Sequence, residues 1–174
     1  PVERVSWEDV MKFCEKLTQT EKSAGRLPKG HVYTLPTEAQ WEYACRAGTT
    51  TATSFGESLS SRQANFDGNY PYGVAAKGPY LGRTAKVGSY PANAWGFHDL
   101  HGNVWEWCRD WYGSYPSGSV SDPVGPSDGT KRVSRGGSWY DYGSILRSAY
   151  RDWNAPDDRN HYVGFRLSLQ TETA

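Results

Sequence analysis

The sequence has no long apolar run and no excess of charge of either sign. No stretch approaches the roughly 18 apolar residues that a membrane-spanning helix needs, so no membrane insertion is expected. The 19 basic and 19 acidic side chains cancel, which removes the electrostatic attraction that draws proteins to nucleic acid. Neither a membrane nor a nucleic acid is therefore a predicted partner.

Cysteine and methionine are also scarce. There is a single Met, and the three cysteines, Cys14, Cys45 and Cys108, are odd in number and far apart. This spacing argues against a disulfide framework and against a close-spaced zinc motif. We expect the three thiols to be buried and to pack as small hydrophobic side chains.

Aromatic and turn-forming residues are abundant instead. The 174 residues include 8 Trp, 12 Tyr, 19 Gly and 10 Pro, which is typical of a turn-rich protein held together by large rigid side chains. A chain of this length is sufficient for one domain with a real core. We therefore predict a single domain over residues 1–174.

Two short patterns predict helices. Ser6 with Asp9, and Thr37 with Gln40, have the capping-box spacing, and apolar residues recur at helical intervals after each pair. Short β-favouring runs between turn residues predict a small twisted antiparallel sheet. The predicted helices are residues 7–22 and 38–47, and the predicted strands are residues 104–111, 133–139 and 164–169. Residues 48–96 are predicted to be irregular, and residues 114–129 are predicted to form a surface loop.

Three stretches, in order along the chain, carry a family resemblance. They are LPTEAQWEYACRAG, GFHDLHGNVWEWCRDWYG, and the set RVSRGGSW, RSAYR and GFRL. Together they resemble the formylglycine-generating enzyme family, also called the sulfatase-modifying-factor domain. The resemblance implies an α+β, loop-rich variant of the C-type lectin fold, with two helices flanking a small twisted antiparallel sheet. Family members carry some tens of residues before the segment matching PVERVSW, so residues 1–174 are expected to lack the usual N-terminal part.

Enzymes of this family use two cysteines after RGGS to bind copper, because soft thiolates hold Cu(I). Here the matching positions fall near Asp141 and the pair Ile145 and Leu146, and no cysteine follows Cys108. The resemblance therefore implies no copper, no catalytic residues and no enzymatic activity for this chain. Iron-dependent members use a histidine cluster, and the histidines here lack that spacing. They are predicted as loop or core residues: His31, His98, His101 and His161.

The resemblance also implies a structural calcium site in DLHGNVWEW. Its ligands would be the side chains of Asp99 and Glu106 and the main-chain carbonyls of Gly102 and Val104, a mixture of hard oxygen donors that calcium prefers. The alternative is that Asp99 caps a turn and Glu106 pairs with an arginine, either Arg109 or Arg135.

Residues 139–163 have the composition of a binding surface. Tyr and Trp offer large contact area at low entropic cost, while Ser, Gly, Asn and Asp adapt their hydrogen bonds. From residue 140 to 163 there is no Lys, Glu, Gln or Met, the residues that codons ending in a pyrimidine cannot encode, and Trp153 is the one exception. This pattern resembles the variable proteins of diversity-generating retroelements, which carry RGGSW before and GFRL after a diversified segment. The resemblance implies a binding face made of Tyr140, Asp141, Tyr142, Gly143, Ser144, Ile145, Tyr150, Asp152, Trp153, Asn154, Asn160, His161, Tyr162 and Val163.

Two other functions stay open. Non-catalytic family members attached to bacterial signalling proteins have similar aromatic ends, so a fixed sensor or interaction domain is one alternative. A formylglycine-generating oxidase is the other. As ligand we predict a protein rather than a small molecule or a glycan, although tyrosine-rich faces serve all three. The compartment is open between the cytoplasm and a cell surface reached through additional N-terminal sequence.

Overall fold

The computed structural model describes residues 1–172. Within these residues the chain forms two α-helices, six β-strands and one short 3-10 helix. In order they are α1 Trp7–Ser23, β1 His31–Thr34, α2 Glu38–Arg46, β2 Trp105–Trp111, β3 Arg132–Arg135, the 3-10 helix Gly143–Leu146, β4 Arg151–Asn154, β5 Val163–Gly164 and β6 Ser168–Thr171.

Both helices begin at their predicted capping boxes. The backbone N–H of Asp9 donates to Oγ of Ser6 at 3.1 Å, and the N–H of Ser6 donates back to the Asp9 carboxylate. Thr37 forms the same reciprocal pair at the start of α2. The helix α2 ends one residue earlier than predicted, because Ala47 adopts a left-handed φ of 47°.

The strands form two small sheets rather than one. The larger has the order β4-β3-β2-β5, and the smaller pairs β1 with β6. All pairings are antiparallel except that of β2 with β5, which is parallel and places Trp105 opposite Val163. This pair departs from the small antiparallel sheet predicted from the sequence, and the predicted strand 164–169 is divided between the two sheets.

The strand β3 ends at Arg135, before the predicted limit of residue 139, because two glycines follow it. Gly136 and Gly137 have φ values of 98° and 72°, which other residues rarely adopt. A Cβ atom on Gly137 would also lie 2.6 Å from Cδ1 of Leu146. The RGGS sequence therefore forms a tight turn that packs directly against the segment following it.

The core consists of three groups of buried side chains. Trp107 and Trp41 are the largest of them, and each indole N–H has a partner, since Trp107 donates to the carbonyl of Val5 and Trp41 to the carboxylate of Glu106. One group packs α1 against β2, the second packs α2 against β2 and β3, and the third lies under the irregular segment. Their buried members are Val10, Cys14, Leu35, Trp105, Trp107 and Val163; Trp41, Cys45, Leu100, Cys108 and Val133; and Leu59, Ala64, Phe66 and Leu146.

The long irregular stretch between α2 and β2 is fixed by buried asparagine side chains. Asn103 accepts hydrogen bonds at Oδ1 from Nδ2 of Asn65 and from the backbone N–H of Ala85. Asn93 donates to the carbonyl of Ala44 at the end of α2. These amides satisfy backbone groups that a sheet would otherwise satisfy, so the stretch is ordered without regular structure. Neither helix in the described part is long and apolar enough to cross a membrane.

Candidate ligand-binding surface

Near the positions that the resemblance gives to the copper cysteines lie a carboxylate, Asp141, and two apolar residues, half-buried Ile145 and buried Leu146. Oδ2 of Asp141 accepts hydrogen bonds from the backbone N–H and the hydroxyl of Ser138, at 2.8 and 2.6 Å. Burial raises the pKa of Asp141. Leu146 is fully buried and packs with Leu59 and Phe66. None of these side chains supplies the soft donor that Cu(I) needs.

The three cysteines of the chain lie elsewhere, and all are buried and unpaired, as the sequence predicts. Burial raises the pKa of Cys14 to about 11 and that of Cys45 to about 12, and it raises the pKa of Cys108 still further above the ordinary value. A thiolate is the reactive and metal-binding form of cysteine. These thiols remain protonated at neutral pH and serve as packing groups.

His101 is a core histidine that anchors the segment after RGGS. Its Nδ1 lies 2.7 Å from the carbonyl of Leu146, and its Nε2 accepts from the backbone N–H of Ser54 at 3.1 Å. This pattern requires the neutral ring with the proton on Nδ1, and burial lowers the pKa of His101 to about 4. Across residues 1–172 no group of three His, Cys, Asp or Glu side chains is arranged to hold a metal ion.

Two exposed tyrosines stand out in segment 139–163. Tyr140 is 62% exposed and Tyr142 is 51% exposed, and Ser144, Trp153 and His161 are also open to solvent. Others of the predicted binding face are half-buried. These are Asp141, Ile145, Tyr150, Asp152, Asn154, Asn160 and Tyr162.

Two residues of the predicted face are buried, which corrects the prediction. Val163 belongs to the core and is fully enclosed, since β5 pairs it with Trp105. Gly143 donates its N–H to the carbonyl of Tyr70 at 2.8 Å, and a Cβ atom there would lie 2.6 Å from the backbone nitrogen of Tyr72. Neither offers a side chain to a ligand.

Two sets of aromatic rings near the sheet and segment 139–163 differ in whether a cation of the protein lies on them. In the first, a cationic side chain of the protein itself lies on the ring. Lys131 lies 2.8 Å from the centroid of Trp153, and Arg132 lies between Trp7 and Trp111 at 3.7 and 3.4 Å. Arg151 covers Tyr112 and Tyr115, and Arg147 lies 5.8 Å from Tyr150. We call these rings the capped cluster: Trp7, Trp111, Tyr112, Tyr115, Tyr150 and Trp153.

The second set has no such cation among residues 1–172. The rings of Tyr70 and Tyr142 pack at an angle of 41° with centroids 4.3 Å apart, and the ring of Trp139 lies 5.6 Å from those of both Tyr140 and His161. His161 in turn contacts Tyr162 at 5.1 Å. We call these rings, with the neighbouring Tyr80, the open cluster: Tyr70, Tyr80, Trp139, Tyr140, Tyr142, His161 and Tyr162.

A network of buried charges lies beneath the sheet. Arg135 is fully buried and pairs with Glu38 and Glu42, both on α2. Arg151 binds the same Glu38 with two hydrogen bonds of 2.6 and 2.7 Å. Arg166 binds Glu106 in the same bidentate manner. These pairs join α2, β2, β3 and β4, so they are part of the scaffold that carries segment 139–163.

The sulfatase-modifying factor enzyme 1-like domain matches residues 1–171. The chain belongs to this family. Its relatives include the formylglycine-generating enzyme of Streptomyces coelicolor, 36% identical over 178 residues that cover 97% of this chain and 52% of that protein. They also include the serine/threonine-protein kinase pkn1 of Chlamydia caviae, 41% identical over 140 residues, or 77% of this chain and 20% of the kinase. The chain thus spans about half the length, or less, of these relatives.

Solved structures of this family share the fold. Treponema denticola variable protein 1 superposes with a TM-score of 0.78 at 26% identity, over 98% of this chain and 71% of that one. PvdO from Pseudomonas aeruginosa gives a TM-score of 0.77 at 30% identity, over 97% of this chain and 61% of PvdO. These similarities confirm the family and the α+β, C-type lectin-like fold predicted from the sequence.

The calcium ligands implied by the family resemblance fit this site poorly. Both oxygens of Glu106 are occupied, because Arg166 binds them in bidentate fashion and Trp41 donates to Oε2 at 2.7 Å. Asp99 accepts from the backbone N–H of Gly88 at 2.7 Å. Glu106 thus has an arginine partner, although not Arg109 or Arg135, and could bind calcium only by leaving it. The carbonyl of Gly102 accepts from the N–H of Val104, and calcium binding stays a prediction.

Two rings of the open cluster lie outside segment 139–163 and were not predicted. Tyr70 and Tyr80 belong to the irregular stretch and are 52% and 39% exposed. The local sequence YPYG marks a tyrosine-rich turn, but nothing in it indicates which distant segment it contacts. Only the chain path through the third core group brings this turn beside Tyr142.

Proposed function

We propose that this chain is a non-catalytic ligand-binding domain that presents a diversified set of side chains from segment 139–163 on a C-type lectin scaffold. The observation that carries the proposal is the replacement of sulfur donors at the RGGS turn. No cysteine follows that turn, and Asp141 and Leu146, near which the resemblance places the thiols, each have a structural contact. The exposed rings of Tyr140 and Tyr142 follow immediately.

The backbone of the segment is held independently of its exposed side chains. The N–H of Asp67 donates to the carbonyl of Asp141 at 2.9 Å, and that of Gly143 donates to the carbonyl of Tyr70. The buried His101 side chain is hydrogen-bonded through Nδ1 to the carbonyl of Leu146. Because main-chain groups and core residues make these contacts, Tyr140, Tyr142 and Ser144 could change without loss of the fold. Similarity to a protein named a variable protein supports this interpretation.

A second function, that of a fixed sensor or interaction domain, is favoured by the similarity to the chlamydial kinase pkn1. Both functions require binding without turnover. A search of the flanking genome separates them. A near-copy of the coding sequence for residues 139–163, rich in AAC or AAT codons and beside a reverse transcriptase gene, is expected for a diversified binder. Its absence would favour the fixed domain.

Selection from a phage-displayed library of random dodecapeptides tests the binding function. We expect enriched peptides to bind the wild-type chain and to lose about tenfold or more in affinity against the double variant Tyr140→Ala/Tyr142→Ala, as buried aromatic contacts do at hot spots. The matched control is Tyr43→Ala, which removes a tyrosine that is 70% exposed and lies on α2. Equal binding by all three proteins would reject the proposed surface.

Enzymatic activity is tested with copper and a cysteine-containing sulfatase peptide. We expect no aldehyde product and no tight Cu(I) binding, because the three thiols are buried and protonated. The formylglycine-generating enzymes among the relatives provide the positive control. Aldehyde formation by this chain would overturn the proposal of a non-catalytic domain.

A further inference from the structure

We infer that the open cluster binds a cationic side chain, arginine or lysine, presented by a protein partner, and that Tyr70 and Tyr80 are part of this contact. The inference rests on the proposed binding function and names the chemistry of its ligand. It also extends the surface beyond segment 139–163, since both tyrosines come from a different part of the chain.

The first support is the way Tyr70 is fixed beside segment 139–163. Its ring packs on Tyr142 with 4.3 Å between centroids and an angle of 41° between the ring planes, and its carbonyl accepts the N–H of Gly143. A side chain at position 143 would collide with the backbone of Tyr72, so glycine is required for this approach. Each of the two tyrosines is about half exposed, which leaves a preformed aromatic surface open to solvent.

Tyr80 borders the same surface. The N–H of Gly78 donates to the carbonyl of Gly68 at 2.9 Å, which ties the turn before Tyr80 to the residue after Asp67. Asp67 is itself joined to the segment, because its N–H donates to the carbonyl of Asp141. Burial raises the pKa of Tyr80, and the carboxylate of Asp67 raises it further. The stretches that carry Tyr80 and Asp67 are therefore joined to each other and to segment 139–163.

Charge is the second support. Four carboxylates near the open cluster form no salt bridge with any Lys or Arg in the described chain. Their hydrogen-bond donors are neutral groups of Asn69, Ser138, Trp153 and Ala155. Burial raises the pKa of Tyr162, and three of these carboxylates raise it further. The four are Asp67, Asp141, Asp152 and Asp158.

Two of the three arginines of segment 139–163 are paired with carboxylates outside the open cluster, and the third, Arg147, donates to the carbonyl of Ser144 and lies on Tyr150 of the capped cluster. Arg151 is paired with Glu38, and Arg159 is paired with Asp9 on α1 through hydrogen bonds of 2.7 and 3.0 Å. The cluster thus combines ring faces, which carry negative electrostatic potential, with carboxylates that have no internal cation. A cation from outside is complementary to both, whereas an acidic peptide or a nucleic acid would be repelled.

The third support is the behaviour of rings elsewhere in this chain. Six rings of the capped cluster are covered by the protein's own Lys131, Arg132, Arg147 and Arg151. The open cluster is also rich in rings, and none of them carries such a cation within the described chain. The same pairing of cation and ring is therefore available to an external arginine or lysine.

The test compares two fluorescein-labelled peptides by fluorescence anisotropy at low salt. One carries four arginines separated by glycine and serine, and the other carries citrulline, the neutral isostere, at the same places. We expect the arginine peptide to bind at least about tenfold more tightly. Each of Tyr80→Ala and Tyr142→Ala is expected to weaken it about fivefold, which corresponds to the loss of one cation–π contact.

Three controls keep the inference falsifiable. Tyr142→Phe keeps the ring and is expected to bind within about twofold of wild type, and Tyr43→Ala is expected to bind as wild type does. Circular dichroism of each variant checks that it is folded. Equal affinity for the arginine and citrulline peptides, or arginine binding insensitive to both tyrosine variants, would overturn the inference. So would stronger ring-dependent binding to phosphatidylcholine vesicles, which present a quaternary ammonium group.

Failure of this inference differs from failure of the proposed function. If library peptides depend on Tyr140 and Tyr142 but contain no excess of arginine or lysine, the binding surface stands and its cationic ligand is wrong. If library peptides ignore both tyrosines, the surface itself is wrong.

Discussion

The capped cluster and the open cluster contain the same kinds of rings but have opposite electrostatic surroundings. In the capped cluster, the guanidinium of Arg151 lies 4.7 Å from the centroid of Tyr112 and is hydrogen-bonded to Glu38. The cation therefore has both an aromatic and an anionic partner within the protein. In the open cluster, Tyr140 and Tyr142 are exposed and the adjacent carboxylates lack cations within the described chain. Aromatic content alone therefore does not identify a binding surface, because the partner of each ring decides its role.

The two clusters also differ in how they are tied to the core. Tyr150 of the capped cluster packs against the first core group and lies 6.1 Å from buried Trp105. The exposed rings of the open cluster stand on a backbone that is hydrogen-bonded to the irregular stretch. Removing a ring or cation from the capped cluster should thus cost stability, whereas removing one from the open cluster should cost binding.

The largest effect is expected from Arg151→Ala. This change breaks a bidentate pair with Glu38, whose side chain is buried, and we expect the free energy of unfolding to fall by about 3 kcal/mol. Urea denaturation at neutral pH measures it. The matched change in the open cluster, Tyr140→Ala, should cost about 0.5 kcal/mol or less, as at other exposed sites. Similar losses in the two variants would erase the distinction between the clusters.

A smaller effect is expected from acid, through His101 beneath segment 139–163. Its pKa is about 4 in the folded chain against an ordinary value of 6.5, so the unfolded chain takes up a proton in this window that the folded chain does not. The free energy of unfolding therefore falls as pH decreases from 6.5 towards 4, by about 2 kcal/mol between pH 6.5 and pH 5.

Urea denaturation at several pH values measures this dependence. In His101→Gln the fall over that window should largely disappear, whatever the variant's stability at pH 7. His161→Gln, at an exposed histidine of the open cluster, should keep it. A wild-type chain with no loss of stability across this window would show that His101 is not a neutral core residue.

The smallest effect is expected from calcium. Arg166 pairs with Glu106, as Arg151 pairs with Glu38 below the capped cluster. We therefore expect the melting temperature to be the same in calcium and in chelator. Glu106→Gln should lower it, because Arg166 then lacks its carboxylate partner. A higher melting temperature in calcium that is abolished in this variant would confirm the predicted ligand set.

Local sequence patterns predict the helices well, because capping residues identify where each helix begins. The capping boxes at Ser6 and Thr37 place both helices to within one residue at their first turns. The burial of Cys14, Cys45 and Cys108 follows from their composition and spacing. Strand partners are less predictable, because β5 is only two residues long and pairs in parallel with β2, about a third of the chain's length away.

The binding surface shows the same division. Composition identifies segment 139–163 as a candidate binding surface. The order of polar and apolar residues within it does not show that Tyr142 is exposed while Gly143 and Val163 are buried. Burial there depends on contacts with Tyr70, Tyr72 and Trp105, which lie far away in the sequence. No local pattern encodes these contacts, so two members of the predicted face were misplaced and two tyrosines were missed.

The sequence by itself determined what chemistry is possible: three thiols and none after RGGS, balanced charge, and many rings near small polar residues. These are properties of residue type, which folding does not alter. Only the tertiary structure decided which rings lack a cation of the protein. Lys131, for example, precedes β3 but lies on Trp153 of β4. The carboxylates near the open cluster likewise come from separate turns of the chain. Electrostatic interactions fall off with distance in space and not along the chain, so the division into capped and open rings exists only after folding.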